Sequence, residues 1–208
     1  MNLIKIKKIK MLTKYFSVFV LSFLLIFLFS CQGKKSGLNE VEKKEYLDKG
    51  IKIAQASFDA LSIKLKSTMA IGGVPNALKY CNLNAISLTD SLSQAYSVMI
   101  KRTSLQLRNP VNSPDSLEFE ILKEYKELFT NGKQLTPRVQ KMENGDILFN
   151  APIMIKVLCL NCHGNPGKEL SKENEKLIKG FYPDDQAVAY KENDFRGMWS
   201  IRFYNKSK

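Results

Sequence analysis

Apolar residues recur every three or four positions from Glu40 onward, at Leu47, Ile51, Ala54, Phe58, Leu61 and Leu65, with charged residues between them. A 3.6-residue repeat gathers such positions on one side of a helix. The spacing therefore predicts a long amphipathic helix whose stripe packs on its own domain or on a second copy of itself. Gly72-Gly73 ends it, because two glycines disfavour a helix interior. Pro75 then suits the first turn of a second helix, on which Ala77, Leu78, Cys81, Ala85, Leu88 and Leu92 share a face. Cys81 is expected to point inward.

The period then shortens to two. Over Tyr96 to Arg108, the residues Arg102, Ser104, Gln106 and Arg108 fall on one side of a predicted strand, and Thr103, Leu105 and Leu107 on the other. Ser113-Pro114-Asp115 carries cap, first-turn and early-acid signals for a helix over 115–129. Asn144-Gly145 between apolar runs is a hairpin signal, and the second run, Ile147 to Leu158, leads the chain to Cys159. Pro152 inside that run argues for an edge position or a bulge. Ser171 can cap a short helix over 172–179, and Gly197 to Tyr204 alternates as a last strand.

The first 39 residues follow another logic. Five lysines, Lys5, Lys7, Lys8, Lys10 and Lys14, precede an apolar stretch from Tyr15 to Phe29, which has the length of a signal peptide rather than of a membrane span. It ends at Leu28-Phe29-Ser30-Cys31, which resembles a bacterial lipobox, with Cys31 lipidated and first in the mature chain. An ordinary cleaved signal and an uncleaved anchor are the other readings, and all three put the domain outside the cytoplasm. Residues 1–30 are then a signal peptide, 31–39 a lipidated tether and 40–208 the domain. Net charge is +12 for the whole chain and falls to +7 without the five lysines of the leader. The remaining charges are interspersed, so no basic stripe suits nucleic acid. Lys34 and Lys35 are placed to meet anionic headgroups.

Chemistry concentrates at Cys159-Leu160-Asn161-Cys162-His163. Two thiols three positions apart, followed at once by an imidazole, have the spacing for covalent haem attachment, with the His beside the macrocycle as an iron ligand. A zinc site needs more ligands than this chain offers, since His163 is its single His and only Cys31 and Cys81 remain. A thioredoxin-like pair needs a strand-helix alternation that is absent. With lipid on Cys31 and thioethers on Cys159 and Cys162, Cys81 is left unassigned in an oxidising compartment. Met69, Met99, Met142, Met154 and Met198 are rival sulfur ligands. Arg102, Arg108 and Arg196 are candidates to pair the haem propionates.

Several motifs occur here in one order: Pro75-Asn76-Ala77 with Cys81, Arg102-Thr103-Ser104, Arg108 to Asp115, Cys159 to His163, Tyr182 to Asp185, and Asp194 to Gly197. In this the chain resembles the PAS-like single-haem c-type cytochrome domains once catalogued as a domain of unknown function. The resemblance spans about Gln55 to Phe203 and departs at Ala189, where a glycine is expected. It implies an α+β, PAS-like antiparallel sheet flanked by helices, holding one haem c whose iron is ligated by the motif His and a Cys, here His163 and Cys81. On this basis the expected role is a membrane-anchored, periplasm-facing redox or gas sensor, working with a diatomic ligand and a membrane signalling or redox partner. A lipid-tethered electron-transfer cytochrome is the alternative. A peroxidase or nitrogen-oxide reductase is not expected, since no second His is available for proton transfer.

Overall fold

In the computed structural model, residues 37–205 are described, so the leader, Cys31 and the tether up to residue 36 lie outside them. The chain opens with α1 (Glu40–Tyr96), capped by Asn39: its side chain accepts from the Glu42 N–H at 2.9 Å while the Glu42 carboxylate accepts from the Asn39 N–H at 3.0 Å. The predicted break occurs inside it. Gly72 (φ −148°) and Gly73 (φ +65°) leave helical geometry, and Pro75 restarts the helix. Then come β1 (Met99–Thr103), α2 (Ser116–Thr130), β2 (Arg138–Lys141), β3 (Ile147–Met154), α3 (Leu160–His163), α4 (Lys172–Phe181) and β4 (Phe195–Phe203), with 3-10 turns at Pro110–Asn112 and Val157–Cys159.

The four strands form one antiparallel sheet in the order β1-β4-β3-β2. Alternation along the central strands covers both of its faces. Phe149, Ala151, Trp199 and Ile201 turn toward Ile53 and Ala54 of α1, whereas Leu148 and Met198 turn toward Ile121, Leu122 and Tyr125 of α2. Each large side chain so buried stabilises the fold by about 1.5–3 kcal/mol. The expected α+β class, a long N-terminal helix and a four-stranded antiparallel sheet with flanking helices, is the one observed.

Several details differ from the sequence expectation. The face of α1 on the sheet is rotated: Gly50, Ile53, Ala54 and Ser57 are buried, while Ile51 and Phe58 are exposed. Gly50 explains this, since a Cβ there would lie 2.2 Å from the Phe149 ring, so the helix approaches the sheet along a line where it has no side chain. The strand predicted for Tyr96 to Arg108 ends at Thr103. Ser104 Oγ donates to the Arg196 carbonyl at 2.6 Å and accepts from the Gln106 N–H at 3.1 Å, turning the chain out of the ladder. Arg102 and Arg108 are therefore not on one strand face. The α2 cap is Asp115, not Ser113, with Glu118 completing a capping box. Pro152, by contrast, meets the expectation of an edge position or a bulge: it lies beyond Asn150, the last residue opposite β2, and just before the register shift at Ile153/Met154. The second apolar run leaves the sheet at Met154 and reaches Cys159 through a 3-10 turn.

Candidate functional site

Between the second half of α1 and the ends of β1, β3 and β4 lies a cavity of about 230 Å³, lined by Cys81 from α1, Arg102 and Thr103 from β1, Ile153 from β3, His163 from α3 and Arg196 from β4. It opens to solvent beside the exposed Ile86. Gly197 makes this end of the sheet possible: its φ is +155°, and a Cβ there would lie 2.3 Å from the Thr103 carbonyl. Among the five methionines that rivalled Cys81, none lines the cavity. Met142, Met154 and Met198 belong to the core under α2, and Met99 opens β1 opposite Arg202, at the other end of the sheet. Among the described residues, Cys81 is the one sulfur on the wall that His163 also lines.

His163 is fixed by a single backbone acceptor. Its Nδ1 lies 2.7 Å from the Ala187 carbonyl oxygen. A carbonyl can only accept, so Nδ1 carries the proton and Nε2 keeps its lone pair. Burial holds the imidazole pKa well below the ordinary histidine range, and the Arg108, Arg196 and Arg102 cations add to that, outweighing the opposing pull of the Ala187 hydrogen bond. The ring is thus neutral and oriented, which is the state a metal ligand requires. Burial also pushes the Cys81 thiol up, partly offset by Arg102 and Arg108.

The Cys-x-x-Cys-His peptide is clamped from outside. Arg108, delivered by the loop after β1, makes two hydrogen bonds to Asp185, at 3.2 and 3.0 Å, and its Nη2 also donates to the carbonyls of Cys162 at 2.6 Å and Ala187 at 3.2 Å. Asp185 in turn accepts from the Ala187 N–H at 2.9 Å. Further along, the Ala189 N–H donates to the Gly164 carbonyl at 3.0 Å and the Tyr190 N–H to the His163 carbonyl at 2.9 Å. Residues 185–190 are therefore a strap across the back of the motif. Ala189 holds φ at +65°, the left-handed region that favours glycine, at the position where the family resemblance anticipated one.

The three arginines differ in what they are free to do. Arg108 is committed to Asp185 and two carbonyls. Arg196 bonds to the Ser104 hydroxyl, the Gln106 carbonyl and the Tyr190 side chain, lies over the Tyr190 ring at 5.4 Å, and feels the Asp185 carboxylate without pairing to it. Arg102 stacks over Trp199 at 5.8 Å and, among the described residues, meets no carboxylate. Two cations that form no ion pair among the described residues thus line the cavity. Cys159 and Cys162 are half-buried free thiols on its flank: Cys162 packs with Leu78 and Leu170, Cys159 with Ile155 and Ala187. Burial pushes the Cys162 thiol up to about 11. No group of three or more His, Cys, Asp or Glu gathers to hold a metal ion among the described residues.

The motif at 159–163 and the thiol at Cys81 could be read from the sequence as separate features, and the fold brings Cys81 and His163 to one cavity. What sequence reasoning missed is the strap. The acceptor that orients His163 is a backbone carbonyl, which carries no side-chain signal, and the Arg108–Asp185 pair joins two motifs 77 positions apart.

A family model described as Tll0287-like matches residues 35–203. The chain belongs to the Tll0287-like family. One solved structure, that of the cyanobacterial heme-protein Tll0287, aligns with a TM-score of 0.56 and 17% sequence identity, covering 82% of this chain and 99% of that one. At that identity the likeness concerns the fold. No curated protein matches the chain. The Tll0287-like match begins before α1 and ends at the last residue of β4, so it takes in every element that lines the cavity.

Proposed function

We propose that this chain is a c-type haem protein in which Cys159 and Cys162 hold the porphyrin through thioethers, and His163 Nε2 and Cys81 Sγ serve as the axial ligands of iron. One observation carries the reading: the neutral, oriented imidazole of His163 and the thiol of Cys81 line the same cavity, and none of the described methionines does. The donor set fits the group, with a nitrogen lone pair, a sulfur and two guanidinium groups that form no ion pair among the described residues. Arg102 and Arg196 suit the two propionates, whereas Arg108 serves by holding the motif peptide. The solved relative named a heme-protein agrees with this reading.

Bound haem supplies a one-electron iron couple. The residues decide how that couple is used. Ala187 keeps Nε2 available, and a Cys81 thiolate, being anionic, favours ferric iron and a low potential. The same anionic sulfur is a weaker partner once the site is reduced, which fits a redox or gas sensor whose ligand set opens to a diatomic molecule. Lipidation at Cys31 would hold this domain on the outer side of a membrane, beside a signalling or redox partner.

The test is an optical and electron-paramagnetic spectrum of oxidised and reduced protein, with and without CO, for the native chain and Cys81→Ser. The substitution is expected to change the axial ligation and raise the midpoint potential; an identical spectrum and potential would remove Cys81 from the iron. Rapid CO binding to the reduced native protein supports sensing, and an inert iron with fast electron exchange supports the electron-carrier alternative. For the anchor, Cys31→Ala should release the protein from membranes, and retention in high salt counts against lipidation.

A further inference from the structure

A second and larger hollow shares no residue with the Cys81–His163 cavity. It measures about 850 Å³ and lies where α1 begins and the opposite ends of β1, β3 and β4 come together. Its floor is apolar, made by the buried Ile53, Val98 and Ile147. Its walls are aromatic: Tyr46 and Phe203 meet edge to face with ring centroids 5.1 Å apart, and Tyr96 and Tyr204 stand exposed beside them.

Charge at the groove has one available sign. Lys49, Lys52 and Lys141 line it. Lys49 is engaged by Glu45 and lies over the Tyr46 ring at 5.5 Å, but Lys52 and Lys141 meet no carboxylate among the described residues. The acid on the wall, Glu42, has its carboxylate occupied by the Asn39 N–H in the α1 cap. Hollows of a few hundred cubic ångström with an apolar, aromatic lining and a few placed charges are the usual form of ligand sites. Here the lining suits an apolar body, and the two unpaired ammonium groups suit an anionic head.

We propose that this groove binds one anionic amphiphile, a molecule with an apolar body about the size of a single acyl chain and a phosphate or carboxylate head. The body rests on Ile53, Val98 and Ile147 between the tyrosines, and the head pairs with Lys52 and Lys141. The proposal is independent of haem, since neither the lining residues nor the chemistry overlaps with the other cavity.

Calorimetric titration of the purified chain in detergent-free buffer tests it, with dodecyl phosphate below its micelle-forming concentration, dodecyl maltoside and inorganic phosphate as probes. Dodecyl phosphate is expected to saturate at one per chain, with each of the other two at least tenfold weaker. Lys52→Glu with Lys141→Glu should weaken dodecyl phosphate at least tenfold and leave the maltoside unchanged, at an unaltered unfolding temperature. Lys52→Gln with Lys141→Gln should move affinity the same way by less, and serves if the charge reversal impairs folding. Affinity for dodecyl maltoside or inorganic phosphate equal to that for dodecyl phosphate, indifference to both lysine pairs, or uptake only once micelles or vesicles are present would each overturn the proposal.

Discussion

At one end of the four strands, where Thr103, Ile153 and Gly197 meet, the wall is cationic and tied by hydrogen bonds: Arg108 to Asp185, Ser104 to Arg196, His163 to Ala187. At the other end, where Val98, Ile147 and Phe203 meet, the wall is apolar and aromatic, and the helix rests on the sheet through Gly50 against Phe149. The same strands serve both, since β4 carries Gly197 at one cavity and Phe203 at the other, about 20 Å apart at the usual rise per residue. The contrast shows a division of labour. Directional bonds fix a ring and a peptide in one orientation, as a metal ligand set requires. Apolar contact fixes only a separation, and leaves a hollow beside the helix.

The largest break in this comparison should come from Arg108→Ala. It leaves Asp185, whose side chain is 2% exposed, without its cation and strips a donor from the Cys162 and Ala187 carbonyls. Removing one partner of such a pair costs about 3–5 kcal/mol. Denaturant unfolding should show that loss, and His163 should lose its fixed orientation, seen as a heterogeneous ligand spectrum. A loss under about 1 kcal/mol would mean that the strap is not held by this ion pair.

Next in size is Gly50→Ala at the apolar end. The added methyl meets the ring of Phe149, which is fully buried and has no room to turn aside. Overpacking of this kind costs about 2 kcal/mol, against which alanine's better helix preference returns up to about 1 kcal/mol. Unfolding of the single and double variants then measures whether the two ends act separately: the costs of Arg108→Ala and Gly50→Ala should add within about 0.5 kcal/mol. A larger coupling would join the ends through the strands.

The smallest effect refines the polar end. Ala189→Gly removes a Cβ from a left-handed backbone position and should stabilise by up to about 1 kcal/mol, the relief being partly offset by greater freedom of the unfolded chain. A lower unfolding temperature would show that the alanine methyl contributes packing that outweighs its strain.

Much of the architecture could be read locally. The break at Gly72-Gly73, the hairpin at Asn144-Gly145 and the Ser171 cap each rest on a residue whose backbone preference acts within a few positions. The rotated face of α1 could not be, because the apolar periodicity admits two neighbouring stripes and only the closeness of Phe149 selects the one through Gly50. The end of β1 at Thr103 was hidden for a similar reason. Alternation continues in the sequence to Arg108, but pairing depends on where β4 supplies a partner, and Ser104 turns away instead.

The sequence by itself determined the chemistry available: two thiols and an imidazole at fixed spacing, a further thiol on an inward helix face, and arginines in the right company. Covalent spacing along a chain is local, so it survives any fold. Only the tertiary structure decided that Cys81 and His163 share a cavity from which the methionines are absent, that Arg108 clamps rather than waits, and that lysines and tyrosines from distant segments frame a second hollow. Those facts depend on which segments are pressed together, and burial across the whole sheet settles that.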